Sequence, residues 1–475
     1  AEDMQDGDGL SLREAIHWSG EGDTIVFDLD PLLAGNQGGT ITLSTPDPSY
    51  PYSISAFDID YGITINGDVD GNGTPDVTLM GNHTSSFFMI FTRNNVTTLE
   101  GLVMQNGGGV ESHNFGAIYA GYETSLTVLN CDFIGNASGG NGGAIYTDGD
   151  LAIINSIFDG NTAPGSGGAI FSMNYDNNLS LLNSTLMNNS VSGEYGSGGA
   201  IHINGGLLMV NSTLSNNEAD YAGGLNSAST EKIRIINSTI FDNKARLNVG
   251  GISSISADLG MYNSVIAGNK AGEDDIPSNL WSSQGTAEYS VSDTSEYMSH
   301  SCDCNLPNQP LETINLGPLT VTSGSRIPVH LPLARSILIN AGSNHKFDQS
   351  VLYGTPLDDF GIFDDNKDAI GNVRIVGSAI DIGAVESGIS LLPNNDGIIP
   401  TLIEGSSGLT FFSQMTILDN HHDAMNSGAG NYSDVVIEVA VVDTSSLATD
   451  VLSLTVSSPL TLLSNSVMKN GAAIA

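Results

Sequence analysis

Hydrophobic residues recur along this chain in short alternating runs, such as "LTVL", "CDFI" and "AIYT", each closed by an asparagine or a glycine. Alternation with period two sends successive side chains to opposite sides of an extended strand. Asparagine and glycine tolerate the left-handed backbone that a sharp corner needs. Runs this short, turned this often, predict many brief β-strands and exclude a helical solenoid. One stretch departs from the pattern. "SLREAIHWS", residues 11–19, places Leu12, Ala15 and Ile16 on one face of a short amphipathic helix, with Arg13 and Glu14 as cap-stabilising residues.

The strands also repeat. Six segments superimpose, from "LTVLNCDFIGNA" to "LGMYNSVIAGNK", with first asparagines Asn130, Asn155, Asn183, Asn211, Asn237 and Asn263. Six residues after each comes a second: Asn136, Asn161, Asn189, Asn217, Asn243 and Asn269. A degenerate earlier copy, "LEGLVMQN", keeps Asn106 and has Glu100 at the first position. Most units then carry a glycine pair before an apolar strand, as in "GGAIYTD" and "GGAIFSM". One unit is too small to bury its own apolar side chains, whereas stacked units bury them together. The reading is all-β: a right-handed parallel β-helix with three faces, about ten coils of roughly 26 residues. The helix of residues 11–19 would cap its first coil, and the first asparagines would form one inward ladder. Stacked in this way, the N-X-S/T matches at Asn183, Asn211 and Asn237 are structural positions rather than glycan acceptors.

The "NSTxxxN…GGAI" unit resembles the repeats of chlamydial polymorphic outer-membrane proteins and related bacterial surface β-helices. "DGLSLREAIHWSGEGDTIVFD" resembles the CSLREAI-type opening of large bacterial exoproteins, with Gly9-Leu10 in place of the cysteine-containing lead-in. "LGPLTVTSGSRIPVHLPLARSILINAGSN" and "IGNVRIVGSAIDIGAVE" resemble the closing segment of β-helical proteins called choice-of-anchor Q. Beyond it the repeat breaks, and residues 391–475 resemble the start of a cadherin-like β-sandwich. The organisation expected is therefore a cap and first coils with a calcium-type loop (1–95), regular repeats (96–290), a closing segment (291–390) and a sandwich module or part of one (391–475). These resemblances imply an extracellular or bacterial cell-surface location and supply no activity.

Charge narrows the partners. The 475 residues include 53 Asp and Glu against 13 Lys and Arg, a formal net charge of −40. That excess excludes nucleic acid and anionic membrane surfaces. No run is long and apolar enough for a membrane-spanning helix. The first residues, "AEDMQDGDG", lack a basic and apolar leader, as expected of a processed chain or a fragment. Three cysteines, Cys131, Cys302 and Cys304, are too few for a disulfide framework. They read as unpaired thiols, with a local bridge or a soft-metal site in "CDC" as alternatives.

The clearest chemical candidate is "DVDGNGTPD", residues 68–76. Asp68, Asp70, Asn72, the Thr74 carbonyl and Asp76 alternate as oxygen donors around Gly73, the spacing a hard cation requires. Leu79 stands where an EF-hand would need a bidentate glutamate, and strand-like sequences flank the loop, so the expected ligand is Ca2+ held between β-strands. Two further clusters are weaker: Asp358, Asp359, Asp364, Asp365 and Asp368 as a second cation loop or a solvated one, and Asp419, His421, His422 and Asp423, whose adjacent histidines point apart on a strand or turn and so disfavour a transition-metal site. Catalysis has thin support. Lyase chemistry on acidic glycans needs a cation and a nearby basic residue, and only Lys232 and Arg234 of "EKIRI" share a strand face. No spacing singles out the carboxylate pair of a hydrolase. The function expected is a non-catalytic segment of a large bacterial surface protein, an adhesin or structural stalk. It would contact an extracellular glycan, a surface protein or its own copies. A β-helical polysaccharide lyase or hydrolase is the alternative.

Overall fold

In a computed structural model of the chain, the described residues are 10–28, 39–43, 55–93, 95–109, 115–282, 285–294, 304–322, 325–333, 335–344, 367–371, 379–386, 389–393, 415–419, 467–469 and 472–474. Nearly all ordered elements are strands, stacked in parallel sheets as a β-solenoid. Face 1 runs from Thr24–Val26 to Gly285–Glu288 and face 2 from Gly39–Thr42 to Val291–Ser292, each ten strands deep. Face 3 runs from Ser55–Ile59 to Leu280–Ser282. Strands within a face pair in register, so like residues stack on like: Ile118 on Ile145, Ile145 on Ile170, Ile170 on Ile201. A narrow fourth sheet of two-residue strands, from Thr162–Ala163 to Lys270–Ala271, adds a facet between faces 2 and 3.

The expected helix is α1, Leu12–Trp18. Ser11 caps it, its hydroxyl accepting from Glu14 N while Glu14 Oε2 accepts from Ser11 N, a reciprocal capping box. Leu12 and Ile16 are buried, and Arg13 lays its guanidinium over the Phe57 ring, 5.9 Å from its centroid. The helix thus packs on the first strand of face 3.

The corners explain the repeat, and they correct one expectation. The first asparagines do not form the inward ladder. Asn130, Asn155, Asn183, Asn211, Asn237 and Asn263 occupy the bend from face 1 to face 2, with φ between 46° and 53°. Asn130, Asn155 and Asn183 are half-buried there. In the earlier coil that bend is Gly101, at φ 61°, so Glu100 stands one residue before it rather than at the asparagine position. The inward ladder belongs to the second set. Asn136 Nδ2 donates to Asn161 Oδ1, and the relay continues through Asn189, Asn217, Asn243 and Asn269 at 2.9–3.0 Å. It ends on Asn279. Each Nδ2 also donates to a carbonyl of the preceding coil, as Asn189 does to Phe158 O. These amides are fully buried and fully bonded, so the core carries polar groups at no unpaired cost.

Beside it runs a serine ladder: Ser156 N donates to Ser184 Oγ, Ser184 N to Ser212 Oγ and Ser212 N to Ser238 Oγ. Cys131 holds the equivalent first rung, its N–H donating to Ser156 Oγ. Burial pushes its thiol up to about 12, so it is an inert, free, serine-shaped rung. Cys304, by contrast, is disulfide-bonded, which corrects the reading of all three cysteines as unpaired thiols. Cys302 lies outside the described residues.

The glycine pairs divide their labour. The first glycine adopts the left-handed bend, as Gly142, Gly167 and Gly198 do. The second admits close approach, since a Cβ on Gly168 would stand 2.1 Å from Gly199 O. Ala222 takes the first-glycine place in its coil, at φ 56°.

Residues 304–386, where described, turn back along the outer side of face 2. Ile314, Leu338 and Ile382 cover Val265, Ala267 and Val291. The hairpin of Leu316–Val321 and Pro328–Pro332 lies further along, where Thr185 Oγ1 donates to Pro328 O and Ser215 Oγ meets His330 Nε2 at 2.9 Å. Arg326 pairs with Asp132, 194 residues away in sequence. A second compact unit, 388–475 with 322–324, shows two antiparallel strand pairs, Ile389–Pro393 with Met415–Asp419 and Val467–Lys469 with Ala472–Ile474. The rest of the cadherin-like expectation lies outside the described residues.

Candidate metal centre

The acidic loop leaves face 1 after Thr64–Asn66 and enters face 2 at Val77–Met80, so it replaces the single bend residue of later coils. Asp76 N donates to Gly67 O at 3.0 Å and closes the loop, while Gly67 N donates to Glu100 O and ties it to the next coil. Gly101 must be glycine here, because a Cβ would stand 2.3 Å from Asp68 N. Gly71 and Gly73, both at positive φ, fold the chain back on itself.

That path brings Asp68, Asp70 and Asp76 together, with ligand oxygens within 4.8 Å of one another. Backbone amides supply part of the compensation. Asp68 accepts from Asn72 N and Gly73 N at 3.0 and 2.9 Å, and Asp76 Oδ2 accepts from Val69 N at 2.8 Å. Asn72 Nδ2 donates to Asp70 Oδ2 at 2.8 Å, and Asn72 Oδ1 accepts from Thr74 N and its hydroxyl. Asn72 and Thr74 therefore complete the loop through each other. Burial, and then the Asp68 charge, push the Glu100 carboxyl above its ordinary range. Three clustered carboxylates, with the Glu100 carboxyl close enough to feel the Asp68 charge, supply oxygens of the kind a hard divalent cation takes.

The basic candidates are committed elsewhere. Arg234 donates to the Asp258 carboxylate at 2.7 Å and to its carbonyl at 2.6 Å, and Lys232 lies opposite Asp258 in register. Arg246 grips Asp220 through two bonds, which hold that carboxyl below its usual range. Lys244 pairs with Asp275 at 2.6 Å and Lys270 with Asp242 at 3.8 Å. The Asp275 hydrogen bond pushes Lys244 up, opposite to what a proton-abstracting base requires. The half-buried Arg326–Asp132 pair escaped sequence reasoning, because nothing local links residues so far apart. Of the second acidic cluster only Asp368 is described; it is buried and accepts from Ile370 N and Glu386 N. Asp358, Asp359, Asp364 and Asp365, and likewise His421, His422 and Asp423, lie outside the described residues.

Face 3 carries a feature that sequence reasoning missed, although one ring per unit at a fixed place in the repeat could have signalled it. Its outward positions Tyr119, Tyr146, Phe171 and His202 stack in one column, with ring centroids 5.0–5.5 Å apart. Burial lowers His202 to about 4. Tyr119 Oη donates to Asp148 Oδ2 at 2.9 Å.

Residues 130–148 and 155–173 match the family model of the Chlamydia polymorphic membrane protein repeat. These two stretches are consecutive coils of the solenoid and are similar to that repeat. No curated protein and no solved structure matches the chain.

Proposed function

We propose that this chain is a non-catalytic segment of a large bacterial surface protein, an extracellular adhesin or stalk, and that Asp68, Asp70, Asn72, Thr74 and Asp76 bind Ca2+. One observation carries the reading: Arg234, Lys244, Arg246 and Lys270 are each engaged by an aspartate. A lyase would need one of them beside its substrate, with a proton to move. The similarity of two coils to a bacterial membrane-protein repeat supports the surface location. The capping helix α1 and the strand after it suit the resemblance to exoprotein openings.

Calcium in the loop would neutralise three carboxylates at a corner and stiffen the first coils, as suits a protein displayed in a calcium-containing medium. The deciding experiment incubates the full chain with uronate and neutral polysaccharides in millimolar calcium. It follows new reducing ends and the absorbance of unsaturated products. No turnover is expected. Turnover abolished by Lys232→Ala or Arg234→Ala would replace this reading with the lyase.

A further inference from the structure

The three long faces differ in what they offer to solvent. From its Asp132–Ile134 strand onward, face 2 is covered by residues 304–386, where described. Face 1 presents small side chains such as Thr127, Ala152 and Ser180 beside a closed aliphatic strip of Leu129, Ile154 and Leu182. Among the described residues, face 3 carries a column of outward rings, Tyr119, Tyr146, Phe171 and His202, one per coil, of which Phe171 is buried and the others are half-buried. The corner that follows it adds Tyr122 and Tyr175, two coils apart and 64% and 61% exposed. Neither ring serves the core.

The polar groups around these rings are amides, hydroxyls and carboxylates. Asn174 Nδ2 donates to Asp148 O, Asn204 Nδ2 donates to Met173 O, and Asn226 Nδ2 meets His202 Nδ1 at 3.2 Å. Between Arg93 and Lys232 the sequence holds no Lys or Arg at all, while Glu123, Asp148, Asp150 and Asp176 border the lane. A polyanion is repelled there, and no lysine or arginine of these coils could pair with its charges.

We propose that face 3 and its Tyr122–Tyr175 corner bind a neutral, linear, β-linked glycan lying along the solenoid axis. Sugar rings combine an apolar C–H face with a rim of hydroxyls, and they match aromatic surface interleaved with planar amides and carboxylates. Period supplies the second argument: strands recur every ~4.8 Å, the scale on which an extended pyranose chain advances, so each coil meets an equivalent part of the polymer. The proposal rests on the adhesin reading above and names its ligand class.

The test is calorimetry of the full chain against cellohexaose, xylohexaose and chitohexaose, with oligogalacturonate and a lysine-rich peptide as comparators. Saturable binding of a neutral hexasaccharide is expected, weakened about tenfold or more by Tyr122→Ala combined with Tyr175→Ala. Both residues are exposed, so the melting temperature of the variant should match the parent. No binding of any neutral hexasaccharide overturns the proposal, as does binding indifferent to the tyrosines. Preference for oligogalacturonate or for the lysine-rich peptide also overturns it. Absence of binding leaves the non-catalytic reading standing, whereas turnover of a bound sugar defeats that reading and leaves the site in place.

Discussion

At Asn189 four side-chain hydrogen bonds converge: two accepted from Asn161 and two donated, to Phe158 O and Asn217 Oδ1. At Asn183, six residues earlier in the same coil, the amide accepts from Asn211 Nδ2 across a half-exposed corner, and the backbone sits at φ 47°. Asn237, on that same corner, is buried with neither amide atom bonded among the described residues. The two asparagine columns are alike in sequence and unlike in physics. One is kept by what its side chains bond to one another, the other by the left-handed bend its backbone adopts, with Asn211 and Asn263 also bonding the covering residues Lys367 and Ser343.

The largest expected effect tests that contrast directly. Asn189→Ala strips hydrogen-bond partners from Asn161, Asn217 and the Phe158 carbonyl in the core, and should cost about 4 kcal/mol in chemical denaturation. A loss no larger than that of Asn183→Gly would erase the distinction. His202 probes the outer column, where rings rather than amides are stacked. Its pKa falls from 6.5 to about 4 through burial, so the unfolded chain takes up the proton first as pH drops. Stability is therefore full above about pH 6.5 and declines towards pH 4, by about 3 kcal/mol in total. His202→Phe, repeating Phe171, should flatten that part of the profile measured by thermal melts across pH.

Calcium tests the corner built from the acidic loop. At a concentration one hundred times its Kd, calcium should stabilise the chain by about 2.7 kcal/mol. Asp68→Ala with Asp70→Ala should abolish both the calorimetric signal and the rise in Tm. An unchanged Tm in millimolar calcium would count against the site. Ala222→Gly should gain about 1 kcal/mol, because the alanine holds a left-handed conformation that glycine adopts freely. Smallest of all, Asn183→Gly should change stability by no more than about 0.5 kcal/mol, since glycine keeps the bend.

Much of the solenoid can be read from the amino-acid sequence. Strand period, bend residues and glycine pairs are local signals, and each coil repeats them. The capping box of α1 is likewise written in "SLRE". The acidic loop is recognisable from its alternating oxygens, and the gathering of Asp68, Asp70 and Asp76 follows from the glycine turns between them. Sequence pattern points to the wrong asparagines for the inward ladder, because both sets fit a polar corner. Periodicity cannot say on which side of a bend the side chain falls.

The string of residues specifies the coil: where strands run, where they turn, and that equal units stack. Three-dimensional packing settles which asparagine faces inward, why Cys131 stands in a serine column, and which face is closed by residues returning from the far end. The reason is physical. Conformational preference and hydrophobic period act within a few residues, so they leave a pattern in the string. The Arg326–Asp132 pair joins positions 194 residues apart. Such a contact depends on how every intervening coil is stacked, and no local pattern encodes it.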